Sequence, residues 1–171
     1  MPKYIALLLL MATVITVTGQ DIAELERRRG FKDLKLGIPL DSVKGEKKFK
    51  KEVKEQGQFV SKVYSVNHPD YDKIGEIPVS KIEFKTYKDL VYQIHVIADK
   101  DPRLMKALES IYGPADYDLK KETYFWKGQT LVLTFKSHTR NQLEMIYSSY
   151  LIFDMMKQDK EKKVEDIADD F

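Results

Sequence analysis

His68, His95 and His138 are the residues of this chain best suited to proton transfer or metal ligation at neutral pH. No two of them have the i,i+4 spacing of a His-Glu-x-x-His pair, which sets two imidazoles on one helix face. A metal ion would need two or three of them, or carboxylates, to converge in space. His95 falls on the polar side of an alternating segment, a solvated position, so neither a metal ligand set nor a cofactor is expected. Asp70-Tyr71-Asp72 has a carboxylate spacing seen in calcium loops. The third acidic ligand, the mid-loop glycine and the distal glutamate are missing, and an Asp-rich turn explains the residues better. The chain has no cysteine and no Gly-x-Ser-x-Gly elbow, and its eight glycines are scattered singly. No thiol nucleophile, serine elbow or phosphate-cradling loop follows from such a sequence. No catalytic residue is assigned. A hydrolase-like enzyme whose site assembles only in three dimensions is the alternative.

Aromatic and basic residues offer binding chemistry instead. Tyr124, Phe125, Trp126, Tyr147 and Tyr150 gather aromatic area towards the C-terminal end. Phe125 and Trp126 cannot face the same side of one strand, so one face carries rings with no evident partner in the pattern. Tyr124, Trp126 and Tyr147 are therefore candidate contacts with a protein or carbohydrate partner. The other reading places these rings beneath the C-terminal helix. Residues 44–55 hold six lysines and three glutamates. There Lys47, Lys48 and Lys51 are candidates for weak contact with an anionic surface, at about 1 kcal/mol for each near-surface lysine. A solvated helix or loop, partly neutralised by its glutamates, explains the same run without a ligand. Over the whole chain 29 Lys and Arg face 27 Asp and Glu, so bulk charge gives no reason to expect nucleic acid as a partner.

The first nineteen residues read as an export signal rather than as part of a fold. Lys3 leads into an uncharged stretch from Tyr4 to Thr18, centred on Leu7-Leu8-Leu9-Leu10-Met11 and ending in Val17-Thr18-Gly19. Val17 and Gly19 suit cleavage before Gln20. The apolar run is shorter than the roughly 20 residues that span a bilayer as a helix. No cysteine follows it to carry a lipid. Residues 20–171 then make one domain, long enough to bury roughly two-thirds of the surface of the unfolded chain without disulfides. A periplasmic or secreted location is expected.

Several elements follow from local pattern. Residues 20–30 are charged and helix-tolerant up to Gly30. Phe31 to Leu36 alternates as a short strand, and Ile38 to Val43 suits a helical turn or two. The lysine-rich segment has little to bury beyond Phe49 and Val53, so any helix there is marginal. Phe59 to Tyr64 reads as a strand closed by Asn67-His68-Pro69-Asp70. Ile77 to Thr86 and Leu90 to Ala98 flank Tyr87-Lys88-Asp89 as the arms of a hairpin, with Leu90, Tyr92, Ile94 and Val96 on one face. Asp101 and Pro102 open a helix that Gly113-Pro114 ends, and Leu104, Met105, Leu108, Ile111 and Tyr112 form its apolar stripe. Strands are expected over Thr123 to Lys127, Thr130 to Lys136 and Leu143 to Tyr150, then a C-terminal helix at an edge or projecting.

The run Phe31-Lys-Asp-Leu-Lys-Leu-Gly37-Ile-Pro-Leu-Asp-Ser-Val43 resembles the opening of small exported bacterial proteins, as in the outer-membrane assembly SmpA/OmlA family and the β-lactamase-inhibitory-protein module. Tyr112-Gly113-Pro114, Trp126-Lys-Gly128 and Ile146-Tyr147-Ser148 resemble a periplasmic or secreted family of undefined function. The lipid-bearing cysteine of the former and the cysteine pairs of the latter module are absent here. The resemblance implies an antiparallel sheet with helices on one face, and protein binding. The expectation is thus a two-layer α+β fold with a mainly antiparallel sheet. The expected role is a non-catalytic binding or accessory protein of the bacterial envelope, its partner another envelope or secreted protein. Inhibition of an exported enzyme is a further alternative, suggested by the resemblance alone.

Overall fold

The structure, a computed structural model, describes residues 19–55 and 59–168. The expected export signal lies outside these residues except for Gly19. In chain order the elements are α1 (Ile22–Arg28), β1 (Gly30–Phe31), β2 (Leu34–Lys35), β3 (Glu46–Glu55), β4 (Phe59–Asn67), β5 (Lys73–Ile74), β6 (Ile77–Tyr87) and β7 (Leu90–Asp99). Then come α2 (Pro102–Tyr112), β8 (Asp116–Asp118), β9 (Thr123–Lys127), β10 (Leu131–Thr139), β11 (Gln142–Ser149) and α3 (Tyr150–Ala168). Among the described residues, no helix is long and apolar enough to cross a membrane.

An antiparallel sheet runs β3-β4-β6-β7-β11-β10-β9-β8, with β5 beside β6. This is the expected α+β class, weighted towards sheet. The β6–β7 hairpin closes through Lys88 and Asp89, both at positive φ (49° and 62°). That handedness matches the twist of the flanking strands, and Asp is among the few non-glycine residues that enter it readily. The expected strict alternation of the second arm is broken at its start. Lys85 pairs with Gln93 but Thr86 pairs with Val91, leaving Tyr92 as an extra residue. Val91 joins Ile94, Val96 and Ala98 in the main core, while Leu90 and Tyr92 pack in a second cluster with Phe59, Ile152 and Met156. A one-residue slip moves side chains to the other face.

The two clusters lie on opposite faces of the sheet. On one, α2 lays Leu104, Leu108 and Tyr112 into the core with Leu25 of α1 and Phe31 and Leu34 of the β1–β2 turn. Asp101 caps α2 by accepting from the Arg103 backbone N–H at 2.8 Å, and Gly113, at φ 77°, ends it. Such a cap contributes about 1 kcal/mol, whereas burying each large apolar side chain contributes about 1.5–3 kcal/mol, so packing holds this helix. The other face receives α3 through Ile152 and Met156. The C-terminal helix therefore neither sits at an edge nor projects but adds a third layer, so helices cover both faces of the sheet rather than the one face of the expected two-layer arrangement.

Two more expectations change. Residues 46–55 form an edge strand, not a marginal helix, because β4 supplies a full hydrogen-bonding partner from Phe59 to Asn67. The expected strand at 31–36 is split into β1 and β2 by a turn with Lys32 at φ 53°.

Candidate functional site

A cavity of about 230 Å³ lies between α2, the end of α1, the β1–β2 turn and the sheet. Its position follows from short-range structure. Asp21 caps α1 by accepting from the Glu24 N–H at 2.9 Å, and Arg29 in the left-handed region stops the helix after two basic residues, Arg27 and Arg28. The chain then doubles back at Gly30, where a Cβ would lie 2.0 Å from the carbonyl oxygen of Leu34, so only glycine lets the turn close. Lys32 donates from the tip of the turn to the carbonyls of Asp70 and, at 2.7 Å, Lys73. Lys35 donates to the Arg28 carbonyl at 2.6 Å. The turn is thereby tied to α1 on one side and to the loop before β5 on the other, leaving a gap over the sheet.

Leu104, Leu108 and Ile111 form one wall of this gap and Met145 and Tyr147 its floor, and Arg28, Lys32 and Lys35 stand around it. Among the described residues, its lining contains no carboxylate and no imidazole. Glu24, the carboxylate paired with Arg28, is already clamped by both Arg27 and Arg28, whose guanidiniums hold its carboxyl down at about 2. One carboxylate between two guanidiniums leaves an excess of positive charge. Burial pushes the Lys35 ammonium down, and the charge of Arg28 adds to that. Deeper in lie Tyr112 and Tyr147, and burial pushes both hydroxyls up. The site combines an apolar interior, two tyrosine hydroxyls and under-compensated cations.

Compared with protein-family models, curated proteins and solved structures, the chain matches none.

The candidate binding residues fall in different environments. Tyr147 does belong to the cavity, although as a buried floor residue rather than a surface ring. Trp126 does not form a contact surface: it is fully buried against Tyr112, and its indole N–H donates to the Gly113 carbonyl at 2.8 Å. What covers it is α2, not the C-terminal helix. Tyr124 is exposed and pairs with Tyr117, ring centroids 4.6 Å apart, at the β8–β9 edge. The three lysines do not form one patch. Lys47, opposite Val66, shares the face of α2 and bonds the Val43 carbonyl at 2.7 Å. Lys48 and Lys51, opposite Ser65 and Val63, point to the other face.

Sequence reasoning separated the histidines, and the fold joins two of them. His95 of β7 and His138 of β10 meet at Glu144 of β11, on the face that carries α3. Burial pushes the Glu144 carboxyl up, but hydrogen bonds from Lys136, His95 and His138 outweigh it and hold the group below its ordinary value. The only sequence signal for this meeting was a polar-face histidine in a strand. Its partner across β11 could not be named without the pairing of β7 with β11.

Proposed function

We propose that this chain is a non-catalytic binding protein, exported to the bacterial periplasm or beyond, that holds a small amphiphilic anion in the cavity under the β1–β2 turn. The observation that carries this reading is the half-buried Lys35 ammonium, held by a neutral carbonyl beside an apolar interior. An anionic head would satisfy Lys35 together with Lys32 and Arg28, while an apolar tail would take the place of water against Leu108 and Met145. Sites for drug-sized ligands run to about 300–1,000 Å³, so a 230 Å³ cavity suits something smaller, such as the end of one acyl chain. The export part of the reading rests on the apolar segment before Gly19. It is supported by the docking of the residues just after it, since the Asp21 backbone N–H donates to the Tyr112 carbonyl at 2.7 Å and the Gln20 side chain bridges the backbones of Phe125 and Lys127.

Calorimetric titration with octanoate and octanol tests the proposal. Octanoate binds and octanol binds more weakly. Lys35→Met weakens octanoate by about tenfold, equivalent to roughly 1.4 kcal/mol, and leaves octanol unchanged. Ala107, exposed on the cavity wall, offers a plug: Ala107→Trp abolishes binding of both while α2 stays folded. Octanoate binding that ignores both substitutions would remove the cavity from consideration.

A further inference from the structure

The second site lies on the opposite face of the sheet and is independent of the cavity. The β7–β11 register sets His95 across from Ile146, two residues along from Glu144, and the β10–β11 register sets Lys136 directly across from Glu144. Pairing in that hairpin slips between Ser137 and Thr139, so His138 is the extra residue of a bulge. Such slips re-aim side chains, and here the imidazole is turned back over Glu144. His95 Nε2 lies 2.7 Å and His138 Nδ1 2.9 Å from the same carboxylate oxygen, Oε2, while Lys136 Nζ sits 3.2 Å from Oε1.

We infer that His95, His138 and Glu144 form a binding site for a divalent first-row transition-metal ion of the zinc class. Two imidazole nitrogens and one carboxylate oxygen lie within 4.8 Å of one another. Donors in a tetrahedral zinc site with bonds of about 2.0–2.2 Å are roughly 3.3–3.5 Å apart. Modest side-chain rotation therefore opens the two short N···O distances and admits the ion where the N–H groups now point. A neutral imidazole that gives up that N–H keeps its proton on the other ring nitrogen, and a protonated one releases a proton.

The donor set itself selects the class. Two imidazoles with one carboxylate suit zinc, cobalt, nickel, copper or iron, whereas calcium and magnesium prefer all-oxygen shells. Glu144 is 9 % exposed, but the His95 and His138 side chains are 23 % and 36 % exposed, so coordination positions stay open towards solvent. Three protein ligands with open positions are the pattern of an accessible site rather than a closed structural one. Lys136 occupies the oxygen that the ion does not need, and its charge weakens binding without blocking it. Glu83 stands across β6 from His95 on the same face, though it pairs with Lys81 at 2.8 Å.

The test uses the chain without a polyhistidine tag, stripped with a chelator and dialysed. Titration with Zn²⁺ shows one equivalent bound, and Co²⁺ gives the visible absorption of a low-coordinate site; Ca²⁺ and Mg²⁺ give neither. His95→Ala, His138→Ala and Glu144→Gln each lower Zn²⁺ affinity by more than the 10–100-fold that the loss of a ligand-orienting group typically costs. His68→Ala leaves it unchanged, and Lys136→Met tightens it. Thermal melting of the metal-free variants identifies any that fail to fold, and His138→Ala, in an exposed bulge, serves as the one expected to stay native. No stoichiometric Zn²⁺ uptake, or uptake indifferent to both histidine substitutions, overturns the inference and leaves a hydrogen-bonded cluster only.

Discussion

Trp126 and Tyr124 are two residues apart on β9 and share the face of α2, yet they have opposite fates. Trp126 sits opposite Leu133, under α2, while Tyr124 sits opposite Phe135, beside the β8 edge, and stays exposed. Position along the strand decides this, since α2 covers only part of the sheet. Trp126→Ala is expected to cost about 3–5 kcal/mol by leaving a cavity and an unpaired Gly113 carbonyl. In a chain of this size that lowers the midpoint of thermal unfolding by roughly 6–20 °C. Tyr124→Ala, in contrast, should leave the midpoint within a degree or two. Equal midpoints for the two variants would contradict the burial assigned to Trp126.

The helix α3 shows how an element with weak amphipathic character is held in place. Its first half buries Ile152 and Met156 over Tyr92 and Phe59, and beyond that it relies on polar contacts. Asp159 accepts from the Tyr87 hydroxyl at 2.9 Å and pairs with Lys88 at 2.6 Å, tying the helix to the β6–β7 turn. Lys88 first and Tyr87 second hold the Asp159 carboxyl below its ordinary value, and burial with the Asp159 bond pushes the Tyr87 hydroxyl up to about 12. A carboxyl lowered by folding stabilises the folded state above its unfolded value of about 3.9, and that contribution fades as pH falls through the folded value. Asp159→Asn should therefore speed amide exchange in the second half of α3 at pH 7, with variant and parent converging only once the pH has fallen below the lowered folded value of the carboxyl. Identical exchange at pH 7 would mean that the apolar half alone docks the helix.

At the scale of the whole molecule the sheet ends on β3, a ten-residue strand whose outer hydrogen-bonding edge is open among the described residues. Long open edges invite pairing with other chains, and lysines on them oppose it through charge and the hydration of the ammonium groups. That gives the lysine run a role that needs no ligand. Lys48 and Lys51 are exposed on one face of β3, and replacing both with Val should promote association, visible in light scattering as mass growing with concentration. A double variant that stays monomeric at high concentration would return these lysines to the list of candidate contacts.

The sequence by itself determined the elements whose signals lie within a few residues of one another. Asp101, Pro102 and Gly113 bound α2, Lys88-Asp89 closes the central hairpin, and the aromatic run at 123–127 becomes a strand. Capping, turn handedness and alternation act locally, so they can be read without knowing what lies across the sheet. Tertiary structure alone decided that β11 pairs with β7, that β3 is recruited by β4, and that α3 takes the face opposite α2. Those choices depend on the total apolar area buried by competing arrangements of the whole chain, which no short window contains. The cavity and the His95–His138–Glu144 cluster both follow from them, because each is built from elements distant in sequence and joined only by strand pairing and layer packing.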